Sequence, residues 1–302
     1  MAESIVGLHI YSVTQHKKRN KSKIEFSKNG DGARLRNYAD RFFRLHSTPD
    51  DDENNSRTWF FEPKPNNGNS YHGIIRYGSS GYESDIIDRK SRDLNYKRKV
   101  TDIDVIPLYY RLWVPSAGEF ALLALQTFGQ RSCVNRVQSA LIRGYSANNN
   151  GHLIVVKPIV PTKLKNFRNA EVKSINLRKL DYSSDSAENQ IGSQSTLVDL
   201  DVSFTAKPRR NLGLLGSLAG RIKSADGKDV LSYNDTQFDE ATAEVSLDGK
   251  RRRVTLIGVD RNAGKFDLTE DIKRGPNGHP EFNSISSEVE SLFTGIATGD
   301  AG

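Results

Sequence analysis

The stretch "AEVSLDGKRRRVTL" (residues 243–256) constrains this chain more tightly than any other. Asp248-Gly249 reads as a two-residue hairpin loop, because both central residues of a type I′ turn need positive φ. That loop sets a register in which Leu247 faces Lys250, Ser246 faces Arg251, Val245 faces Arg252 and Glu244 faces Arg253. Side chains alternate across a strand, so Ala243, Val245, Leu247, Val254 and Leu256 share one face. Thr242, Glu244, Ser246, Arg251, Arg253 and Thr255 share the other, which makes this half-buried sheet. Lys250 and Arg252 fall on the apolar side near the tip, where their stems are expected to lie over Leu247 with their charges in water. A cross-strand Glu244–Arg253 pair is expected to contribute roughly 0.2–1 kcal/mol. The four consecutive cations read first as a solvated hairpin end and second as a phosphate contact.

The same patterning extends along the chain. "SIVGLHIYSV" (4–13) and "SKIEFSK" (22–28) read as strands around a basic loop, "QHKKRNK". "ARLRNYADRFFRLH" (33–46) spaces Leu35, Tyr38, Phe42 and Leu45 as a helix does, and the acidic loop "STPDDDENNS" follows it. "TWFFEP", "YHGIIRYGS" and "ESDIID" are strand-like runs, as are "KVTDIDVIPLYYRLWVP" (99–115) and "EFALLALQTF" (119–128), with Pro107 pointing to an edge or a bulge. "SCVNRVQSALIRGY" (132–145) is a helix whose inward stripe is Val134, Val137, Leu141 and Tyr145, and a strand, "HLIVVKPIVP" (152–161), follows. Alternating strands at 171–180 and 196–206 flank a Gly/Ser-rich loop, "DYSSDSAENQIGSQS". "NLGLLGSLAGRIKS" (211–224) fits either a short helix or turns leading to a hairpin at Asp226-Gly227, and "SISSEVESLFTG" (284–295) fits a last helix capped by Ser284. The expectation is an α+β fold of mixed, largely antiparallel sheets with few helices. It divides near residue 165 into an N-terminal α+β part (1–165) and a C-terminal β-rich part (166–302), or forms one domain.

Composition narrows the class. A chain of 302 residues can bury a substantial core. Its longest apolar run, "FALLAL", is far short of the ~18 residues that span a bilayer, so no membrane partner is expected. The first twenty residues carry their charges after the apolar stretch, the reverse of a secretory leader, and one cysteine excludes an intramolecular disulfide. A cytoplasmic protein is expected. The net charge of +7 permits anionic partners.

Four basic clusters are the only recurring theme: "HKKRNKSK" (16–23), "RKSRDLNYKRK" (89–99), "KPRRN" (207–211) and "GKRRR" (249–253). In the second, Tyr96 is placed to stack a base while Lys97, Arg98 and Lys99 take phosphates. Arg209 and Arg210, with Arg251 and Arg253, are the candidates from the last two. Solvated surface is the plain alternative for each cluster, and only convergence would make a binding face. Asp199 and Asp201, like Asp102 and Asp104, sit two apart on strands and point the same way, as a Mg²⁺ site for phosphoryl chemistry requires. A wet strand face gives the same spacing. Glu171 and Lys173 match half of a nuclease signature whose upstream acid is missing. No two of the six histidines form a zinc motif, so no metal site is expected. Cys133 begins a helix without an identifiable partner base and reads as inert.

"EFALLALQTFGQRSCVNRVQSALIRGY" (119–145), an apolar strand turning at Gly129 into a short helix, resembles uncharacterised bacterial proteins of anti-phage defence and mobile-element loci. The resemblance implies a nucleic-acid setting and carries no site residues. The expected function is a non-catalytic, cofactor-free protein associated with DNA or RNA, one component of a bacterial defence or mobile-element assembly with other subunits. The alternatives are a Mg²⁺-dependent nuclease or phosphotransferase on Asp199 and Asp201, and an assembly or effector-sensing subunit.

Overall fold

The computed structural model describes residues 4–52, 56–65, 68–159, 165–182, 198–220, 223–225, 228–234, 236–247, 250–257 and 265–299. The first elements are β1 (Val6–Lys17), β2 (Lys23–Ile24), α1 (Arg34–Leu45), β3 (Asp50–Asp52), β4 (Arg57–Pro63) and β5 (Ser70–Ser79). Then come β6 (Ser84–Ile87), β7 (Leu94–Arg98), β8 (Asp104–Trp113), β9 (Ala121–Phe128), α2 (Val134–Asn148) and β10 (His152–Pro158). The chain continues with α3 (Lys165–Arg168), β11 (Glu171–Tyr182), β12 (Val198–Thr205), α4 (Leu215–Ala219), β13 (Lys223–Ala225) and β14 (Lys228–Tyr233). It closes with β15 (Thr236–Phe238), β16 (Glu240–Leu247), β17 (Lys250–Ile257), β18 (Lys265–Asp267) and α5 (Phe282–Gly299). The fold is α+β and dominated by antiparallel pairing.

Contacts divide the chain into two units, one of residues 1–10, 158–272 and 287–302, the other of 11–157 and 273–286. The crossing nearest the expected boundary at 165 is therefore at Pro158. The first strand and the last helix are shared, which a single cut in the sequence could not express.

The second unit carries the order β9-β8-β5-β4-β3. Its core gathers Leu35, Tyr38, Phe42 and Phe43 of α1 and Val134, Val137, Leu141 and Tyr145 of α2 with strand residues such as Phe61, Ile75, Leu108 and Leu125. All four residues expected inward on α2 are buried. On α1 Leu45 is 59% exposed instead, because the helix ends there, and Ala39 and Phe43 complete its buried face. Pro107 sits within β8, opposite Arg76 of β5. Two residues on, the Tyr109 N–H turns the other way and donates to Gln126 Oε1 at 2.7 Å. Pro107 thus presents its missing donor on the side where β9 pairs only from Tyr110 onward.

The first unit carries the order β12-β11-β16-β17-β18, with Gly7–His9 of β1 paired to β18. The hairpin register is the one that its loop dictates: Leu247↔Lys250, Ser246↔Arg251, Val245↔Arg252, Glu244↔Arg253. Ala243, Val245, Val254 and Leu256 are buried on one face, while Arg251 and Arg253 stand exposed on the other. Two side chains depart from expectation. Arg252, expected to reach water, is 6% exposed and ion-paired with Glu288 of α5, which is 4% exposed. Glu244 pairs at 2.9 Å with Arg251, diagonal to it, rather than with Arg253 opposite; sheet twist brings one diagonal neighbour within reach of long side chains.

Three element boundaries are also corrected. β1 runs through Gln15–Lys17, where a loop was expected, because Gln15 faces inward and is fully buried. Asp50–Asp52 pairs with β4 as strand rather than acidic loop. The last helix starts at Phe282, and Ser284 Oγ accepts from the Lys273 N–H instead of capping. The 211–224 segment contains both a short helix, α4, and the strand β13. The turns Asp248-Gly249 and Asp226-Gly227, and residues 183–195 of the Gly/Ser-rich loop, lie outside the described residues. No helix among the described residues is long and apolar enough to cross a membrane.

On the polar face of the first unit, His9 stands opposite Lys265. Burial, then the Lys265 charge, lowers its pKa to about 4. Between that value and the ordinary 6.5, the unfolded chain binds a proton that the folded chain refuses. Stability is therefore expected to fall by about 2–3 kcal/mol as pH drops through this window, at about 1.4 kcal/mol per unit. Urea melts of wild type against His9→Gln check it: wild type should lose about 2–3 kcal/mol relative to the variant between pH 6.5 and pH 4, and a pH-independent difference would show that His9 protonates freely.

Candidate nucleic-acid interface

After β12 ends at Thr205 the chain turns through Lys207-Pro208-Arg209-Arg210, and the Arg210 N–H donates to the Lys207 carbonyl at 2.9 Å. Proline second and a residue of positive φ third is the pattern of a type II turn, whose third position favours glycine. Here that residue is Arg209, at φ +63°. Holding an arginine there costs about 1–2 kcal/mol, strain of the kind that collects at binding sites. The turn is also clamped. The Ala206 N–H donates to the Lys173 carbonyl at 2.8 Å, Leu212 donates to the Val172 carbonyl at 2.8 Å, and Val172 donates to the Gly213 carbonyl at 2.9 Å. Both legs are thus stitched to the start of β11, fixing where the three cations emerge.

Beneath this turn lies a cleft of about 230 Å³ lined by Lys173, Lys207, Arg209, Arg210 and Arg251, with Glu244 as the only carboxylate among the described residues of its wall. Lys173 donates to Glu171 Oε2 at 2.6 Å and to the Arg210 carbonyl at 3.2 Å, and this contact holds the Glu171 carboxyl below its usual range. Arg251 pairs with Glu244. Lys207, Arg209 and Arg210 are exposed, and none has an acidic partner among the described residues. The "KPRRN" and "GKRRR" clusters therefore meet, because β11 pairs with β12 on one side and β16 on the other. Arg253, two residues beyond Arg251, lines the adjoining grooves with Asp267. Lys173 and Glu244 belong to the wall but not to the basic clusters, and only the pairing of β11 with β16 brings them there.

The other candidates are placed differently. Arg98 is 5% exposed: its guanidinium donates to the Ser79 and Asp102 carbonyls and stacks 4.1 Å over Tyr82, so it is not free to take a phosphate. Tyr96 donates its hydroxyl to Asp102 Oδ2 and leaves its ring half exposed, while Lys97 and Lys99 are exposed. Of the 16–23 cluster, Lys23 is paired with Glu119. These two clusters lie in the second unit.

Asp199 and Asp201 do share a face of β12, but Arg178 of β11 reaches both, pairing with Asp199 and standing 3.8 Å from Asp201. One guanidinium therefore stands against both carboxylates. Asp102 lies in a turn before β8, accepting from Tyr96 and from the Lys99 N–H at 2.8 Å, and Asp104 is paired with Arg131. No group of three metal-ligating side chains occurs among the described residues. Cys133 is buried, and burial pushes its thiol up to about 12. No protein-family model, curated protein or solved structure matches the chain.

Proposed function

We propose that the first unit binds the phosphate backbone of a nucleic acid in the cleft under the 207–210 turn, without catalysing a reaction on it. The observation that carries this reading is a clamped turn holding three acid-free cations, one of them in a strained conformation, against Arg251. Guanidinium groups donate two parallel hydrogen bonds to phosphate oxygens, and a fixed turn loses little freedom when it binds. The lining among the described residues is cationic and carries no aromatic ring on which a base could stack, which favours a backbone contact over base readout. The engagement of both Asp199 and Asp201 by Arg178 supports the non-catalytic reading over the Mg²⁺-dependent one. The resemblance of residues 119–145 supports placing this activity in a bacterial anti-phage defence or mobile-element assembly.

The test is fluorescence anisotropy with labelled single- and double-stranded oligonucleotides across a salt series. Arg209→Glu/Arg210→Glu is expected to weaken binding at least tenfold and to flatten the plot of log affinity against log salt by about one unit per lost phosphate contact. Arg209→Gly separates binding from folding, since relief at the positive-φ position should hold stability or raise it by up to about 1 kcal/mol while affinity falls. No binding by the wild type at low salt, or an unchanged slope in the double variant, would remove the cleft as the site.

A further inference from the structure

We infer that the β6–β7 hairpin is the surface through which two copies of this chain associate. The two strands form a sheet of their own, Ser84↔Arg98, Asp85↔Lys97, Ile86↔Tyr96 and Ile87↔Leu94, and no third strand joins them among the described residues. Consecutive residues of β6 point to opposite faces. Ile86 and Tyr96 therefore lie on one face, Ile87 and Leu94 on the other, so the hairpin is apolar on both sides. These four, with Tyr82 and Val100 at its base, are each 47–57% exposed.

Isolated two-stranded hairpins are marginal in water, yet this one is held firmly. Arg98 anchors its base through Ser79, Asp102 and the Tyr82 ring. Its tip is closed by Asp88 Oδ1, which accepts from the Lys90 N–H at 2.7 Å and the Ser91 N–H at 2.8 Å. Large apolar groups left half exposed on a preorganised support mark an interaction surface.

Charge selects the occupant. Residues 82–104 carry six acids and six bases, against a whole chain at +7. A polyanion or an anionic lipid surface would be met by an excess of cations, and this segment has none. Balanced, interspersed charge around an apolar centre is what a self-complementary two-fold contact needs, since each copy must offer both members of every pair. The area agrees where each copy grips both faces of the other's hairpin: six half-exposed large side chains, at about half of the ~150–250 Å² that an aromatic residue offers, then supply on the order of 500 Å². With a polar rim this approaches the roughly 800 Å² per partner of a standard interface.

Analytical ultracentrifugation of the full chain tests the inference. Twice the mass of a single chain is expected at about 50 µM, with a micromolar dissociation constant. Ile86→Asp/Leu94→Asp, one change on each face, should shift the constant upward at least thirtyfold while leaving the melting temperature within a few degrees, both positions being exposed. Hydrogen exchange on the unmutated chain reads the same contact without depending on a variant: amides of Leu94–Arg98 should gain protection as concentration rises. A wild type that stays monomeric, a dimer that survives the double substitution, or a monomer that carries DNA or anionic vesicles through this hairpin would each overturn it. The oligonucleotide titration is independent of this result, because the cleft lies in the other unit.

Discussion

Substituting Glu288 by glutamine is expected to cost about 3–5 kcal/mol, the loss seen when one member of a buried ion pair is removed. Glu288 and Arg252 are 4% and 6% exposed and contact each other inside the first unit. Arg252 Nε has no hydrogen-bond partner among the described residues, so the carboxylate is the main compensation for a charge held away from water. Glutamine keeps the size and removes the compensation. The pair itself is a different matter, because desolvating two charges offsets most of their attraction. Arg252→Met/Glu288→Leu is therefore expected to lie within about 1–2 kcal/mol of wild type or above it, joining Val245 and Val254 in an apolar layer. Urea unfolding midpoints with unchanged slopes would establish both results, and a double-mutant cycle gives the coupling. A Glu288→Gln protein as stable as wild type would mean that the guanidinium reaches water after all.

That arginine also shows where the sequence stops being legible. The hairpin around it could be read pair by pair because the loop is two residues long and faces alternate strictly, so every term in the register is local. Strand alternation puts Arg252 on the apolar face, but local sequence sends its charge to solvent, since nothing nearby announces an acid on the last helix. Helix α2 was legible for the same local reason, with four apolar residues stepping by three and four. The tail of β1 was not: "QHK" looks like loop by composition, and only the groups that meet Gln15 make it strand. The cleft sits between these cases. Its cations were visible as two clusters, but their meeting depends on β11 lying between β12 and β16, a long-range pairing that no spacing encodes. Asp199 and Asp201 show the converse: their shared face followed from period two, and the arginine on the neighbouring strand that occupies them did not.

Gln15→Leu is expected to destabilise the second unit by about 3–5 kcal/mol although it replaces a polar side chain by an apolar one of similar size in a fully buried place. Gln15 Oε1 accepts from the Leu35 N–H at 3.0 Å and from the Tyr145 hydroxyl at 2.9 Å, and its amide nitrogen donates to the Gly32 carbonyl at 3.2 Å. One side chain thus satisfies the first turn of α1, the turn before it and the far end of α2. Leucine would leave three buried groups unpaired at about 1–3 kcal/mol each, and Gly32 has no slack to shift, since a Cβ there would meet the Glu25 carbonyl at 2.5 Å and the Ser27 nitrogen at 2.6 Å. Tyr145→Phe removes a single bond of the three and leaves Oε1 still serving Leu35, so about 1 kcal/mol is expected. The ratio between the two variants is the informative quantity. A three- to fivefold difference in their unfolding free energies identifies the amide as the hub that joins α1 to α2, whereas equal losses would reduce Gln15 to a partner of Tyr145 alone.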